Sequence, residues 1–311
     1  MKTAADWLAY CADEMDRAGL FFGHGTDNAH DEAAWLVLHV LGAPLDGSFT
    51  DWDVVLSDAQ QRSVAHLLRR RIEERCPLAY LTGTARFCGL DFAVSPDVLV
   101  PRSPLAELIA GQFSPWLDIH AGSSGRGRVM DMCTGSGCIA TAMAVCMPWV
   151  DIDAVDISRA ALEIASNNVK RHNAADRVRL IRSDLFTELD DKGHDGYDLI
   201  VSNPPYVSAE AFAQLPAEYH AEPSGGLVSG ADGLDIVLKI LDASPVYLKQ
   251  QGILVVEVGE SAQRLIELLP RVPFLWLEFH RGGDGIFLLE YDQLSACQPD
   301  VRTVLEQREN V

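Results

Sequence analysis

A chain of 311 residues with 48% hydrophobic composition exceeds one typical domain and can bury a main core and a smaller companion core. Its 25 basic against 45 acidic residues, a net charge of −20, exclude a surface that tracks nucleic-acid phosphates and suit a basic protein partner or simple solubility. Seven cysteines without a C-x-x-C spacing indicate neither a disulfide framework nor a zinc site.

Residues 1–76 read as a helical domain. Residues 4–15 are amphipathic, and Asp27 is placed to cap a run through Ala33, Leu36, Val37, Val40 and Leu41 that stops at Gly42. Ser57 and Gln60 fit a capping box for a third helix, with Val64, Leu67, Leu68 and Ile72 at helical spacing. Between them stand Arg69, Arg70 and Arg71, either a contact for acidic RNA or a partner, or a solvated helix face. Residues 77–103 change to short β-like pieces, 78–83, 86–92 and 98–102, and read as a hairpin connector. Pro101-Arg102-Ser103-Pro104, with Glu107 one turn on, could close over a cofactor or simply start a helix. Gly122 to Gly127 reads as a mobile surface loop.

From Arg128 the pattern alternates strand and helix. Strand 128–132 ends at Cys133-Thr134-Gly135-Ser136-Gly137, a turn whose glycines allow close backbone approach, and a helix follows over 138–147. Strand 152–156 ends in Asp156, nineteen residues past Gly137, where a carboxylate can accept from both ribose hydroxyls of a nucleoside. Ser158 caps the next helix, and strand 178–182 leads to Asp184, placed to accept from an adenine amino group with Leu185 against the ring. A fourth strand, 197–202, delivers Asn203-Pro204-Pro205-Tyr206. Then come a long loop over 209–233, a helix over 234–247, a strand over 252–258, a helix over 260–269 and strands over 274–279 and 286–291. Gly282-Gly283-Asp284-Gly285 joins the last two strands directly, which implies an antiparallel final hairpin, and 298–311 read as a surface tail. The class is α/β.

The Asn203-Pro204-Pro205-Tyr206 turn carries the chemistry. Ligands bind at the carboxyl ends of strands in such sheets, and two prolines remove two donors and fix φ, so nearby carbonyls become pre-set acceptors. That suits a substrate NH2 group. An amide or aryl nitrogen is a poor nucleophile because its lone pair is delocalised. The Asn203 side-chain oxygen and the Pro204 carbonyl could hold both hydrogens, with Tyr206 and the prolines covering the flat group, so that orientation supplies most of the rate.

Gly135-Ser136-Gly137-Cys138-Ile139-Ala140 also satisfies the dinucleotide pattern G-x-G-x-x-A, so a nicotinamide-dependent dehydrogenase is one reading. Asp131 at the first strand's end, useful near a cationic methionine moiety, and the antiparallel last hairpin favour S-adenosyl-L-methionine. None of the nine histidines forms a ligand cluster with cysteines, so no metal is expected. With no leader pattern and no apolar run of bilayer length, a cytoplasmic protein without membrane contact is expected.

In this order, Asp131 to Gly137, Asp156, Asp184 and Asn203 to Tyr206 resemble the class I methyltransferases that modify planar NH2 groups. Adenine-amino DNA enzymes and protein-glutamine enzymes share N-P-P-Y. The helical N-terminal domain, Pro77 to Gly83 and Val100-Pro101-Arg102 are similar to the protein-(glutamine-N(5)) methyltransferase family, with no inserted target-recognition domain and no basic surface for duplex nucleic acid. Glu222-Pro223, Gly230-Ala231-Asp232-Gly233-Leu234-Asp235, Trp276-Leu277-Glu278-Phe279 and Gly282 to Gly285 resemble the branch acting on large-subunit ribosomal protein L-three.

The resemblance implies a Rossmann-like, seven-stranded sheet with an antiparallel last strand. It implies a substrate-recognition domain at 1–76, a connector at 77–103, a methyltransferase domain at 104–297 and a tail. It implies that Asp131 and residues 133–137 (Cys133, Thr134, Gly135, Ser136, Gly137) wrap the methionine end, Asp156 and Ile157 take the ribose, Asp184 and Leu185 border adenine, and Asn203, Pro204, Pro205 and Tyr206 hold the glutamine amide of a basic ribosomal protein. Enzymes acting on release factors usually have Gly where this chain has Cys133 and an aromatic where it has Leu185. A side chain at Cys133 is expected to demand an ordinary φ, and Leu185 gives up ring stacking. The same chemistry on a release factor, and a non-catalytic ribosome-assembly factor retaining the cofactor pocket, remain open readings at this point.

Overall fold

The computed structural model describes residues 2–117, 119, 126–189, 196–280 and 282–309, so the loop expected at 122–127 falls outside the described residues as far as residue 125. The chain divides into two compact units, Met1–Arg102 with Leu215–Pro223, and Ser103–Gln214 with Ser224–Val311.

In the first unit, α1 (Ala4–Arg17), α2 (Ala29–Leu41) and α3 (Asp58–Glu73) enclose a core of Trp7, Cys11, Met15, Ala33, Leu36, Val64 and Leu68, the positions whose spacing marks one face of each helix. Thr3 with Asp6 and Ser57 with Gln60 form capping boxes. Asn28, not Asp27, caps α2: its Oδ1 accepts from Asp31 N at 2.8 Å, while Asp27 accepts from the Asn28 amide. Residues 78–82 form a short helix, α4 (Leu78–Thr82), rather than a β piece. Pro77 pre-sets φ at its N-cap, Thr82 Oγ1 bonds back to Leu78 O and Gly83 turns out at φ 69°. Of the pieces expected over 77–103, β1 (Thr84–Phe87) and β2 (Leu90–Ala93) pair, as an antiparallel hairpin.

The arginine run is not a uniform solvated face. Arg71 is fully buried, donating to Glu32 Oε1 at 2.5 Å, Glu218 Oε1 at 3.2 Å and Phe21 O at 2.8 Å, whereas Arg70 pairs with Glu74 on the helix surface. Arg102 forks onto Glu222, both bonds at 2.7 Å, and Val100 N also donates to that carboxylate instead of to a strand partner. Burial alone would push the Glu222 carboxyl up, but the facing His24 and Arg102 outweigh it and hold it at about 2.

The second unit opens with α5 (Leu105–Ala110) and contains a seven-stranded sheet in the order β5-β4-β3-β6-β7-β9-β8. The strands are β3 (Gly127–Met132), β4 (Val150–Asp156), β5 (Val178–Arg182), β6 (Tyr197–Ser202), β7 (Leu248–Glu257), β8 (Leu275–Trp276) and β9 (Ile286–Glu290). The helices after α5 are α6 (Cys138–Cys146), α7 (Arg159–Arg171), α8 (Ala209–Gln214), α9 (Asp235–Tyr247), α10 (Ala262–Leu268) and α11 (Tyr291–Glu309). Strands β3 to β7 are parallel, and β9 runs antiparallel to both β7 and β8, as the glycine-joined hairpin predicts. The chain winds outward through β4 and β5, then crosses to β6 on the other side of β3, which makes β3 and β6 the switch point. Residues 298–309 are no loose tail. They continue α11, with Leu294, Cys297 and Val301 buried at helical spacing in the core of this unit.

Candidate active site

Sheet register assembles the site. Met132 pairs with Val155 and Ser202, and Ser202 with Val256, so Cys133, Asp156, Asn203 and Glu257 all stand at the carboxyl edge of adjacent strands. Ser202 Oγ donates to Met132 O at 2.7 Å, and Thr134 N donates to Val155 O at 2.9 Å, which ties the three strand ends together.

The turn after β3 is built on two left-handed glycines. Gly135, at φ 55°, donates its N–H to Asp156 Oδ2 at 2.8 Å, and a Cβ added to it would meet no atom within 4 Å, so its backbone faces open space. Gly137, at φ 73°, lies where an added Cβ would stand 2.9 Å from the Ala165 Cβ. Asp156 Oδ1 accepts from Ser158 N at 2.8 Å, and burial pushes its carboxyl up against these backbone bonds. Ile157 beside it is 60% exposed, an apolar side chain left without cover at the strand edge.

Asp131 is fully buried. Its Oδ2 accepts from Thr134 Oγ1 at 2.5 Å and Ala140 N at 3.0 Å, while Oδ1 has no hydrogen-bond partner. Burial raises its pKa from 3.8 to about 7. Cys133 does not take an ordinary φ: it sits at 63°, and Leu185 likewise at 50°, so both departures from the family pattern occupy left-handed positions. The Cys133 thiol is pushed up by burial and by the carboxylates of Asp156 and Asp131, and so is held protonated. Asp184 is exposed, and its N–H bonds to Glu188 Oε2 at 2.8 Å. Leu185 is half-buried against the core, its carbonyl accepting from Ser183 Oγ at 2.6 Å.

Past β6, Asn203 presents a buried Oδ1 that accepts no hydrogen bond, and Pro204 and Pro205 are buried. Tyr206 is held on every side. Its hydroxyl donates to Glu257 Oε1 at 3.0 Å, its carbonyl accepts from Ser261 Oγ at 2.8 Å, and its ring rests where a Cβ on Gly259 would be 2.7 Å from Cε2. Gly233 lies against its carbonyl, 2.2 Å from an added Cβ, so the Gly230–Asp235 loop backs the N-P-P-Y turn. Glu257, Ser261 and Gly259 were missed by sequence reasoning. Glu257 carried the same signal as Asp131 and Asp156, an acid closing an apolar strand.

These groups fit a cationic nucleoside ligand: an unbonded buried acceptor at Asp131 Oδ1, a carboxylate at Asp156, open space over Gly135 and an uncovered Ile157. Among the described residues no cluster of His, Cys, Asp and Glu could hold a metal ion, and no helix is long and apolar enough to cross a membrane. Residues 118–218 match the methyltransferase small domain, and residues 6–83 the PrmC N-terminal domain. The fold superposes on the hMettl16 catalytic domain in complex with a MAT2A 3'UTR hairpin, at a TM-score of 0.51 over 76% of this chain and 82% of that one, with 18% identity.

Fold and site together define a class I S-adenosyl-L-methionine-dependent methyltransferase. Relatives named ribosomal protein uL3 glutamine methyltransferase are 49% identical in Xanthomonas campestris pv. campestris, covering 95% of this chain and 94% of theirs, and 46% identical in Xylella fastidiosa, covering 99% and 96%. The chain belongs to the ribosomal protein uL3 glutamine methyltransferase family.

Proposed function

We propose that this protein methylates the side-chain amide nitrogen of a glutamine in large-subunit ribosomal protein uL3, and that Asn203 to Tyr206 hold that amide. The observation that carries the site assignment is Asn203 Oδ1, buried and unbonded at the end of β6. A buried acceptor without a donor is costly, about 1–3 kcal/mol, unless a ligand supplies one. An amide NH2 does so. S-adenosyl-L-methionine, when bound, supplies an electrophilic sulfonium methyl group. Asp131 and the turn from Cys133 to Gly137 would receive its methionine end, Asp156 and Ile157 its ribose, and Asp184 and Leu185 its adenine.

Asn203 Oδ1 and the Pro204 carbonyl accept the two amide hydrogens and so turn the nitrogen's out-of-plane lone pair toward the methyl. Pro205 and Tyr206 exclude water from the flat group. Orientation and acceptor polarity supply the rate, so no general base is required before transfer, and the nitrogen's surplus proton leaves afterwards to water or a nearby carbonyl.

The near-full-length match to the named relatives favours uL3 over a release factor, and the same match favours an enzyme over a non-catalytic assembly factor. The test uses methyl-labelled S-adenosyl-L-methionine with unmodified uL3, a release factor and duplex DNA in separate reactions, followed by mass mapping. Label on a uL3 glutamine is expected; label only on the release factor or on DNA adenine overturns the substrate, and cofactor binding without transfer overturns the enzyme. Asn203→Ala is expected to lower kcat at least about 100-fold with cofactor affinity within a few fold, because the lost bond orients the transition state. Parallel loss of both would sink the assigned role.

A further inference from the structure

We infer that Glu257 is the positioning residue of the N-P-P-Y turn, holding the Tyr206 phenol proton away from the substrate amide; the inference rests on the amide-methylation reading above. Two hydroxyls converge on this one buried carboxylate. Tyr206 Oη donates to Oε1 at 3.0 Å, Ser103 Oγ donates to Oε2, and the residue is 5% exposed. Ser103 is buried too, and its Oγ accepts from Leu105 N at 3.1 Å at the start of α5. The carboxylate therefore joins the turn after β6 to the head of α5 through the last residue of β7.

The protonation logic follows from donor counts. A carboxylate accepts and does not donate, and a phenol has one proton. With that proton committed to Glu257, the Tyr206 oxygen has only lone pairs left for any further group. Both amide hydrogens go to Asn203 Oδ1 and the Pro204 carbonyl, so the phenol matters for rate through where it sends its proton. A phenol free to rotate could aim its proton at the amide nitrogen and engage the lone pair that must attack.

The rest of the Tyr206 environment is constrained too. Gly259, at φ 46°, lies under the ring and is itself covered by Gly285, where an added Cβ would be 2.2 Å from the Gly259 carbonyl. Ring, carbonyl and hydroxyl are thus each met by a different segment, and Glu257 takes the phenol proton.

The test is a double-mutant cycle on the full chain, with kcat, KM for uL3 and Kd for S-adenosyl-L-methionine measured for each variant. Glu257→Gln keeps one acceptor but turns an NH2 toward the other hydroxyl; kcat is expected to fall about 10- to 100-fold with KM and Kd within about threefold. Tyr206→Phe keeps the ring and has no proton to misdirect, so its kcat is expected within about threefold of wild type, and the double variant is expected to recover to the Tyr206→Phe value. Ser103→Ala loosens the carboxylate without touching Tyr206 and should lower kcat about three- to tenfold, an effect that vanishes when Tyr206→Phe is already present. This second cycle decides the matter should Glu257→Gln fail to fold. Wild-type kcat in either Glu257→Gln or Ser103→Ala, or additive losses in the doubles, overturns the inference. Failure of the parent reading looks different: the wild-type chain would then label no glutamine at all.

Discussion

At the scale of single residues, burial decides what Asp131 does. Its folded pKa, about 7, lies above the ordinary 3.8, so the folded chain holds the proton more tightly than the unfolded one. The contribution to stability is fully present below 3.8 and is lost as pH rises through 7. A cation beside the unbonded Oδ1 favours the charged form, so S-adenosyl-L-methionine affinity is expected to rise between about pH 6 and pH 8 and level off above. Asp131→Asn, which can still accept from Thr134 and Ala140, should flatten both the affinity profile and the fall in stability, and weaken cofactor binding about tenfold. Calorimetric titration across that range and thermal unfolding from about pH 4 to pH 8 check this; an unchanged pH slope in the variant would rule it out. Asp131, Asp156 and Asn203 were legible because each is a polar group closing an apolar run. The left-handed backbone at Cys133 and Leu185 was not, since side-chain identity argues against it. Such a φ costs about 1–2 kcal/mol and persists where neighbours hold it, at Cys133 through the Ser202 bond to Met132 O and the Thr134 bond to Val155 O, and at Leu185 through the Ser183 bond to its own carbonyl.

At the scale of elements, the end of α11 bears on the turn that backs the site. Arg308 donates to Asp232 Oδ1 at 3.0 Å and to Asp235 Oδ1 at 2.6 Å, and Asp232 Oδ1 also accepts from Leu234 N at the start of α9. Burial would raise the Asp232 carboxyl, but the Arg308 bonds hold it below the usual range. Gly233, between these acids, presses on the Tyr206 carbonyl. Arg308→Ala is therefore expected to destabilise the protein by about 1 kcal/mol and to lower kcat a few fold with cofactor Kd unchanged. Denaturant unfolding beside steady-state kinetics tests it, and a loss of stability with wild-type kcat would confine Arg308 to a structural part. The alternation of strands and helices from β3 to β9 was readable because long buried strands and amphipathic helices carry clear periods. Helix α4 was not, being five residues long, too short to show one. In α11 the apolar spacing of Leu294, Cys297 and Val301 was present, but Pro299 inside the helix disguised it.

At the scale of the whole molecule, net charge and the fate of the arginines argue together. The helical unit's arginine run looked available for RNA until the structure put Arg71 inside, on Glu32 and Glu218, and Arg70 on Glu74. Arg102 is likewise committed to Glu222. Sequence could count these cations but could not foresee that carboxylates far along the chain, Glu218 and Glu222, would meet them. With such cations engaged internally, the net −20 is what an approaching molecule meets at long range. Such a field is expected to disfavour nucleic acid and to attract a basic ribosomal protein, the substrate proposed above. Long-range attraction is screened as the Debye length shrinks from about 14 Å at 50 mM to about 6 Å at 300 mM salt. Over that range KM for uL3 is expected to rise about three- to tenfold while kcat stays constant, because steering acts on encounter and not on the oriented amide. A short neutral peptide carrying the same glutamine should show no such rise. Equal salt dependence for both substrates would mean that salt acts on the site itself, and a flat KM for uL3 would mean that the acidic surface does not select the partner.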